Sequence, residues 1–330
     1  MTNSTTSASS PAPGTVAQAG PLLPSLERII QQEYAAVRLP DDAAALDPAD
    51  AAKVRAVVTS GRVGVPSALM AALPNLEIVT NFGVGYDTTD VAQAAERGIQ
   101  VTNTPDVLTD CVADTALGLM LDVFRRFGAS ERFLRDGRWE SGGFPLTRRF
   151  SRSTVGILGL GRIGQAIARR AAAFDATVLY TTRRPVESVT WEHIPSAVEL
   201  ARRSDVLVVA VPGGAATDGL VDAEVLRALG PDGFLVNIAR GSVVDEDALI
   251  DALEAGEIAG AGLDVFAHEP HVPPRLIRDD VTLLPHVGSG TRETREDMRD
   301  LTLANLRAHL AGQPLPTPVP ETAGLAALTH

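Results

Sequence analysis

Three widely separated residues carry side chains that could bind a carboxylate or move a proton. Arg240, Glu269 and His286 each come shortly after a short apolar run of the kind that forms a buried strand. In an open parallel sheet, ligands bind outside the carboxyl ends of the strands, so the three side chains could converge. Taken singly, each has a plainer interpretation: Arg240 in a salt bridge, Glu269 solvated, and His286 hydrogen-bonded within a turn.

A glycine motif lies upstream of all three residues. The apolar run 155–158 leads into Gly159, Gly161 and Gly164, spaced as Gly-x-Gly-x-x-Gly, and a helical pattern continues over 165–174. Gly159 would permit a tight turn, Gly161 would let the backbone approach a pyrophosphate, and Gly164 would let the helix pack against the strand. The helix N-terminus would attract the phosphates. The motif predicts a dinucleotide site; the alternative is a strand–helix turn without a ligand.

The residues after the next predicted strand indicate which dinucleotide is bound. NAD-binding domains place an Asp or Glu about 20 residues beyond the glycines, where it bonds the ribose 2′-hydroxyl. Here the predicted strand 177–180 is followed by Thr181, Thr182, Arg183 and Arg184, without a carboxylate. Because paired guanidinium groups suit a phosphate dianion, we expect NADP(H) to be preferred, with NAD(H) possible. Alternatively, the two arginines are an ordinary solvated pair.

Strand and helix patterns alternate in two parts of the chain, which predicts two α/β domains with parallel sheets. An amphipathic helix predicted at 291–310 follows the second part and could return to the first. The first part has predicted strands at 35–38, 55–59, 77–80 and 99–102. The second has them at 155–158, 177–180, 206–211, 234–237, 260–264 and 281–284.

Between the two parts lies a long predicted helix, 108–126, that is apolar over much of its surface. Residues 128–152 follow without an obvious strand, and we expect an irregular arm. The chain is only 4% aromatic, so a concentration of aromatics there predicts either an interface or a local hydrophobic cluster. The four aromatics of the arm are Phe133, Trp139, Phe144 and Phe150.

Composition excludes several function classes. Lys and Arg number 29 against 41 Asp and Glu, a net charge of −12, which disfavours a nucleic-acid partner. With Cys111 as the one cysteine, neither an internal disulfide nor a cysteine zinc cluster can form, and no metal site is predicted. No apolar run reaches membrane-spanning length. Residues 1–20 carry no charged side chain or signal-peptide core, so we expect a disordered tail and a cytoplasmic protein.

Together these stretches resemble the D-2-hydroxyacid dehydrogenase family over nearly the whole chain after residue 20. Within the family the chain looks most like the glyoxylate/hydroxypyruvate reductases, because of residues 101–109, the segment 143–147 and the missing acidic residue. The matching motifs lie at 81–87, 102–105, 112–114, 159–164, 237–241, 264–270, 285–289 and 312–319.

The resemblance implies two Rossmann-like, doubly wound parallel-sheet domains with a cleft between them. The substrate-binding domain would be discontinuous, at 21–103 and 290–330, with the dinucleotide-binding domain inserted at 104–289. Hinges near Thr104 and at 288–290 would allow closure over a small-molecule substrate. In this family the long helix and the aromatic arm form a dimer interface, so a homodimer is expected.

The resemblance also implies roles for individual residues. Arg240 would hold the substrate carboxylate or carbonyl, and backbone N–H groups of Val84 and Gly85 would take the carboxylate from the other domain. His286 would donate a proton to the keto oxygen. Glu269 would bond the other ring nitrogen of His286, orient the ring and favour its imidazolium form.

Cofactor contacts are implied at the turns that follow the strands. Many family members have Leu-Thr after the proline of the fourth-strand loop, and here Gly214 removes one polar contact while Thr217 is kept. Asp264 would lie near the nicotinamide. The implied contacts are Gly159, Gly161, Arg162, Ile163, Gly164, Thr181, Arg183, Arg184, Val211, Pro212, Thr217, Ile238, Ala239, Asp264, His286 and Gly288.

The function implied is NADPH-dependent reduction of glyoxylate, hydroxypyruvate or both to the D-2-hydroxyacid. One alternative is an NAD(H)-linked dehydrogenase for another D-2-hydroxyacid. A second is a non-catalytic dinucleotide-sensing regulator, since the C-terminal-binding corepressors share this fold and a similar triad. The set Arg240, Glu269 and His286 favours an enzyme, and Glu269 argues against a formate dehydrogenase, which carries Gln there.

Overall fold

The computed structural model describes residues 14–325, which divide into two compact units. One unit runs to Leu108 and resumes at Arg292, and the other is Thr109–Thr291. The sequence placed the joints after 103 and 289, where the structure has 108 and 291. The part of the predicted disordered tail that covers 1–13 lies outside the described residues.

Strands and helices alternate through both units. The strands are β1 (Val16–Gln18), β2 (Val37–Arg38), β3 (Ala56–Ser60), β4 (Ile78–Phe82), β5 (Gln100–Thr102), β6 (Thr154–Leu158), β7 (Thr177–Thr181), β8 (Glu192–His193), β9 (Val206–Val209), β10 (Phe234–Asn237), β11 (Gly260–Leu263) and β12 (Val281–Leu283). The helices are α1 (Pro24–Tyr34), α2 (Pro48–Ala51), α3 (Ser67–Ala72), α4 (Val91–Glu96), α5 (Thr109–Arg125), α6 (Phe127–Arg135), α7 (Arg162–Ala172), α8 (Ala197–Arg202), α9 (Ala223–Leu229), α10 (Glu246–Ala255) and α11 (Arg292–Leu310).

The first unit contains a parallel sheet of order β2-β1-β3-β4-β5. Its strand β1 corrects the predicted tail, because Val16 and Ala17 are fully buried between β2 and β3. A three-residue strand flanked by Thr, Ala and Gly has too little local pattern to be recognised. Its stability comes from strands that lie 20 to 40 residues further along the chain.

The second unit contains a parallel seven-stranded sheet of order β12-β11-β10-β9-β6-β7-β8. Six of these strands match the predicted positions. The inner ones are continuous apolar runs, as in Val206–Val209, because helices cover both faces of a parallel sheet. The seventh strand, β8, was missed, since it is only Glu192–His193 and pairs with β7 along one edge.

Local signals explain how the helices begin and end. Asp245 caps α10 by accepting a hydrogen bond from the Ala248 N–H, and Gly256 ends the helix at a φ of 68°. Pro48 opens α2 directly after the capping residue Asp47. Such pairs of signals define the observed bounds of α10.

The expectation of a wholly irregular arm at 128–152 is wrong, because helix α6 occupies Phe127–Arg135. The arm packs on aromatic pairs: the Phe133 and Phe144 ring centroids lie 5.4 Å apart, and Phe150 lies 5.4 Å from Phe124. Trp139 is 68% exposed. The local cluster is therefore present, and exposed apolar side chains remain beside it.

Across residues 14–325, none of the helices combines the length and the hydrophobicity needed to cross a bilayer. In the second sheet every pair of neighbouring strands is parallel. The turns that follow β6, β7, β9, β10, β11 and β12 therefore lie along one edge. That edge carries most of the predicted site residues.

Candidate active site

The glycine turn after β6 has the geometry that a dinucleotide requires. Gly159 has a φ of 101°, and a Cβ there would lie 2.8 Å from the Ala210 carbonyl. A Cβ on Gly164 would overlap the Gly159 carbonyl oxygen, so the absence of a side chain lets α7 start directly against the turn. At Gly161, the capping residue of α7, an added Cβ would meet open space. Arg162 and Ile163 form the first turn of α7, and the first turn of a helix is the end that attracts phosphate oxygens.

Arg183 and Arg184 are exposed in the turn after β7. The hydroxyl of Thr181 donates to the Ile194 carbonyl at 2.7 Å, so it ties β7 to the residue that follows β8. Two arginines beside a strand end that carries no carboxylate fit a 2′-phosphate better than a 2′-hydroxyl.

In the turn after β9, one side chain hydrogen-bonds to the backbone of the same turn. The hydroxyl of Thr217 donates to the Pro212 carbonyl at 2.6 Å, and Val211 is half-buried beside it. Gly214 has a φ of 122° and open space where a side chain would be. Thr217 therefore shapes this turn.

Asn237, a residue that the sequence did not single out as a positioning group, holds the turn that carries Arg240. Its side-chain amide donates to the Arg240 carbonyl at 2.9 Å, and its Oδ1 accepts from the Ala239 N–H at 3.0 Å. Asn237 is buried, as are Ile238 and Ala239. An Asn at the end of a strand and three residues before a charged one is a turn signal that could have revealed this role.

Glu269 and His286 lie together, as predicted. The Nδ1 of His286 is 2.8 Å from Oε2 and 3.0 Å from Oε1 of Glu269. Each side chain is about a quarter exposed. A carboxylate can only accept, so Nδ1 carries a hydrogen that it donates to Glu269. Nε2 is the other ring nitrogen and does not contact Glu269 in these hydrogen bonds.

The Asp264 carboxylate holds the turn that contains His286 through two hydrogen bonds to its backbone. One carboxylate oxygen accepts from the Val287 N–H at 2.7 Å, and the other accepts from the Gly288 N–H at 2.8 Å. Asp264 is almost fully buried, and burial raises its pKa despite these two hydrogen bonds. His286 itself has a φ of 53°, in the left-handed region that is uncommon for non-glycine residues. A cofactor contact was predicted for Asp264, and its observed contacts are to the turn.

Val84 and Gly85 lie in the first unit, after β4, and are half-buried. The Asn103 side chain donates to the Val84 carbonyl at 2.8 Å, and the Thr104 N–H donates to the Gly83 carbonyl at 2.9 Å. Residues that follow β5 therefore fix the glycine-rich turn that follows β4.

Comparisons with known proteins agree with these features. The family model for the D-isomer specific 2-hydroxyacid dehydrogenase NAD-binding domain matches residues 117–288. Hydroxyphenylpyruvate reductase of Plectranthus scutellarioides is 51% identical over 82% of this chain and 86% of that protein. Glyoxylate/hydroxypyruvate reductase A of Arabidopsis thaliana is 51% identical over 81% of this chain and 85% of that protein.

A solved structure agrees as well. The NADPH-dependent glyoxylate/hydroxypyruvate reductase of Sinorhizobium meliloti, in complex with NADP and malonate, superposes with a TM-score of 0.89. It is 48% identical and covers 93% of this chain and 97% of its own. The predicted fold class and the resemblance are thereby confirmed, and the chain belongs to the D-2-hydroxyacid dehydrogenase family.

Proposed function

We propose that this protein reduces a small 2-ketoacid, glyoxylate or hydroxypyruvate, to the D-2-hydroxyacid with NADPH as the preferred reductant. The observation that carries the proposal is the Glu269–His286 pair at the sheet edge that also bears the glycine turn. Two relatives support the choice of substrate: the proteins from Arabidopsis thaliana and Sinorhizobium meliloti are glyoxylate/hydroxypyruvate reductases.

The residues present fit a bound dinucleotide. The space at Gly161 accommodates a pyrophosphate against the first turn of α7, and Arg183 and Arg184 suit a 2′-phosphate. When bound, the nicotinamide supplies a hydride to the keto carbon. NAD(H) remains a possible second cofactor, because the pyrophosphate contacts are common to both.

The chain's own residues supply binding and the proton. Arg240 holds the substrate carboxylate or carbonyl, and Asn237 fixes the Arg240 backbone. The His286 Nε2 donates a proton to the keto oxygen as charge develops there. The Glu269 carboxylate fixes the ring and stabilises its charged form through Nδ1. The contribution of the Val84 and Gly85 N–H groups to carboxylate binding stays a prediction.

A steady-state panel tests the proposal. Purified protein is assayed with glyoxylate, hydroxypyruvate and hydroxyphenylpyruvate, each with NADPH and with NADH. We expect the highest kcat/KM with NADPH and one of the two small acids. A higher value with NADH and another ketoacid would favour the alternative NAD(H)-linked dehydrogenase, and cofactor binding without turnover would favour a dinucleotide-sensing regulator.

The double variant Arg183→Ala/Arg184→Ala tests the cofactor choice separately. We expect the KM for NADPH to rise by about tenfold or more, as loss of charged hydrogen bonds implies, with the KM for NADH nearly unchanged. Equal effects on both cofactors would contradict a role in 2′-phosphate binding.

We also propose a homodimer that uses the arm after α5. Apolar side chains exposed on one arm suggest a surface covered by a second copy. In light scattering, Leu134→Glu should convert a dimer to monomers, while Val37→Glu, in the first unit, should leave the mass unchanged. A wild-type monomer would refute the proposal. The exposed side chains on the arm are Leu134, Trp139 and Leu146, and Phe127 is exposed directly before it.

Two further expectations remain predictions. One is that the first unit binds substrate, and the other is that the protein is cytoplasmic. Cell fractionation with an antibody to the chain would test the location.

A further inference from the structure

Hydrogen bonds hold both ends of the turn that carries Arg183 and Arg184. We define the phosphate loop as residues 182–186, which connect β7 to the segment leading to β8. At its start, the Thr182 carbonyl lies 2.9 Å from His193 Nε2. At its end, the Val186 N–H donates to the Tyr180 hydroxyl oxygen at 2.9 Å. Within it, the Thr182 hydroxyl donates to the Arg184 carbonyl at 2.6 Å.

Both braces come from side chains that are themselves fixed. The Tyr180 side chain is 2% exposed within β7. His193 lies opposite Tyr180 in the β7–β8 pairing, and their ring centroids are 5.2 Å apart. The Glu192–Arg203 ion pair, with contacts of 2.7 and 2.8 Å, ties β8 to the end of α8. The two-residue strand β8 is thus fixed by its pairing with β7 and by the ion pair to Arg203. This places His193 against the phosphate loop.

A carbonyl can only accept a hydrogen bond, so the Nε2 of His193 carries a hydrogen that it donates to Thr182. A fixed carbonyl at 182 and a fixed N–H at 186 restrict the backbone of the residues between them. Two adjacent arginines on a free loop would have to lose backbone freedom when they bind one phosphate, and they would repel each other. The hydrogen bonds from His193 and Tyr180 restrict the loop backbone before the cofactor binds. Less conformational entropy is therefore lost on binding.

We propose that His193 and Tyr180 are positioning residues for cofactor selectivity: they hold the phosphate loop in the conformation that accepts the 2′-phosphate of NADPH. Their effect is specific to NADPH, because NADH has a hydroxyl where NADPH carries the phosphate. The inference rests on the proposed NADPH preference and adds that edge strand β8 sustains it.

The test measures dissociation constants for NADPH and NADH by fluorescence titration of purified wild type, His193→Leu, His193→Gln and Tyr180→Phe. In His193→Leu the hydrogen bond to Thr182 is lost. We expect NADPH to bind about fivefold to tenfold more weakly, as loss of one such bond implies, with NADH binding nearly unchanged. Tyr180→Phe keeps the buried ring, deletes the hydroxyl, and should have the same selective effect.

His193→Gln is the matched control. A glutamine amide can place a donor close to the position of Nε2, so we expect this variant to recover most of the wild-type NADPH affinity. A purely structural role for His193 would weaken both cofactors together and would not be rescued by Gln. At saturating NADPH and ketoacid, kcat should stay within about twofold of wild type, since the chemistry is distant from the adenosine end.

The possible failures are distinguishable. If wild type binds NADH as tightly as NADPH, the proposed cofactor preference fails and the inference fails with it. If wild type prefers NADPH but His193→Leu and Tyr180→Phe keep the wild-type ratio, the preference stands and the positioning role is refuted. Should His193→Leu unfold, Tyr180→Phe alone decides between these outcomes.

Discussion

Two carboxylates position the proposed proton donor, His286, and they contact different parts of the site. Glu269 contacts the His286 ring and sets which nitrogen carries the hydrogen. Asp264 contacts the backbone after His286 and holds the turn in which the residue has a positive φ. One carboxylate thus orients the ring, and the other orients the turn that carries it.

Replacing His286 with Asn should remove the proton donor and leave the glycine turn intact. We expect kcat for ketoacid reduction to fall by at least about 100-fold, while the variant still binds NADPH. Stopped-flow reduction and fluorescence titration measure the two quantities. Turnover at the wild-type rate would remove His286 from the mechanism.

Gly161 and Gly164 form a matched pair with opposite expected effects. Gly164→Ala places a Cβ against the Gly159 carbonyl and should lower the free energy of unfolding by about 1–3 kcal/mol. Gly161→Ala meets only open space and should change stability by less than about 1 kcal/mol, yet it should weaken NADPH binding. Thermal denaturation and cofactor titration separate the effects, and a stable Gly164→Ala protein would contradict the packing argument.

Two very short strands, β1 and β8, hold parts of the structure in place. β8 supports the phosphate loop, and β1 lies inside the first sheet although only Val16–Gln18 form it. Strands this short gain their stability from neighbours that are distant in sequence.

A chain that begins at residue 19 lacks β1 and should lose the folding cooperativity of the first unit, because β3 loses its partner on one side. A chain that begins at residue 14 keeps β1 and all of its pairings, and it serves as the control. Circular dichroism melting curves compare the two. Equal melting temperatures would show that β1 contributes little.

For the whole molecule, a buried polar cluster links the last turn of α11 to the first sheet. His309 Nε2 lies 3.1 Å from Glu77 Oε2, and its Nδ1 lies 3.1 Å from Gln100 Oε1. Arg55 donates to the other Glu77 oxygen at 2.6 Å. Burial lowers the pKa of His309, and this effect outweighs the attraction of Glu77. The cluster therefore resists protonation of its histidine.

The first unit should lose stability in acid. Unfolded histidine has a pKa of about 6.5, so below that pH the unfolded chain binds a proton that folded His309 binds less readily. The free energy of unfolding then falls as pH drops below about 6.5. His309→Gln should flatten this fall.

Hydrogen exchange of amides in β3 and β4 against pH measures the effect in the first unit. The fluorescence of Trp139 and Trp191, both in the second unit, provides the internal control. Parallel pH curves for wild type and His309→Gln would contradict a role for His309.

Sequence alone determined the fold class, and it predicted the glycine turn, the arginine pair and the set Arg240, Glu269 and His286 as site residues. It could do so because each has a local signature: an apolar run, a glycine spacing, or a charged residue just after a strand. The bounds of strand β10, an apolar run at 234–237, were predictable for the same reason.

Only the tertiary structure decided which groups hold those residues in place. The contacts of Asp264 and His193 depend on strands and turns that the chain brings together from 11 to 24 residues apart. The burial of β1 likewise depends on neighbouring strands. Hydrogen bonds and burial of this kind follow from three-dimensional proximity, and a local pattern of residue types does not encode that proximity.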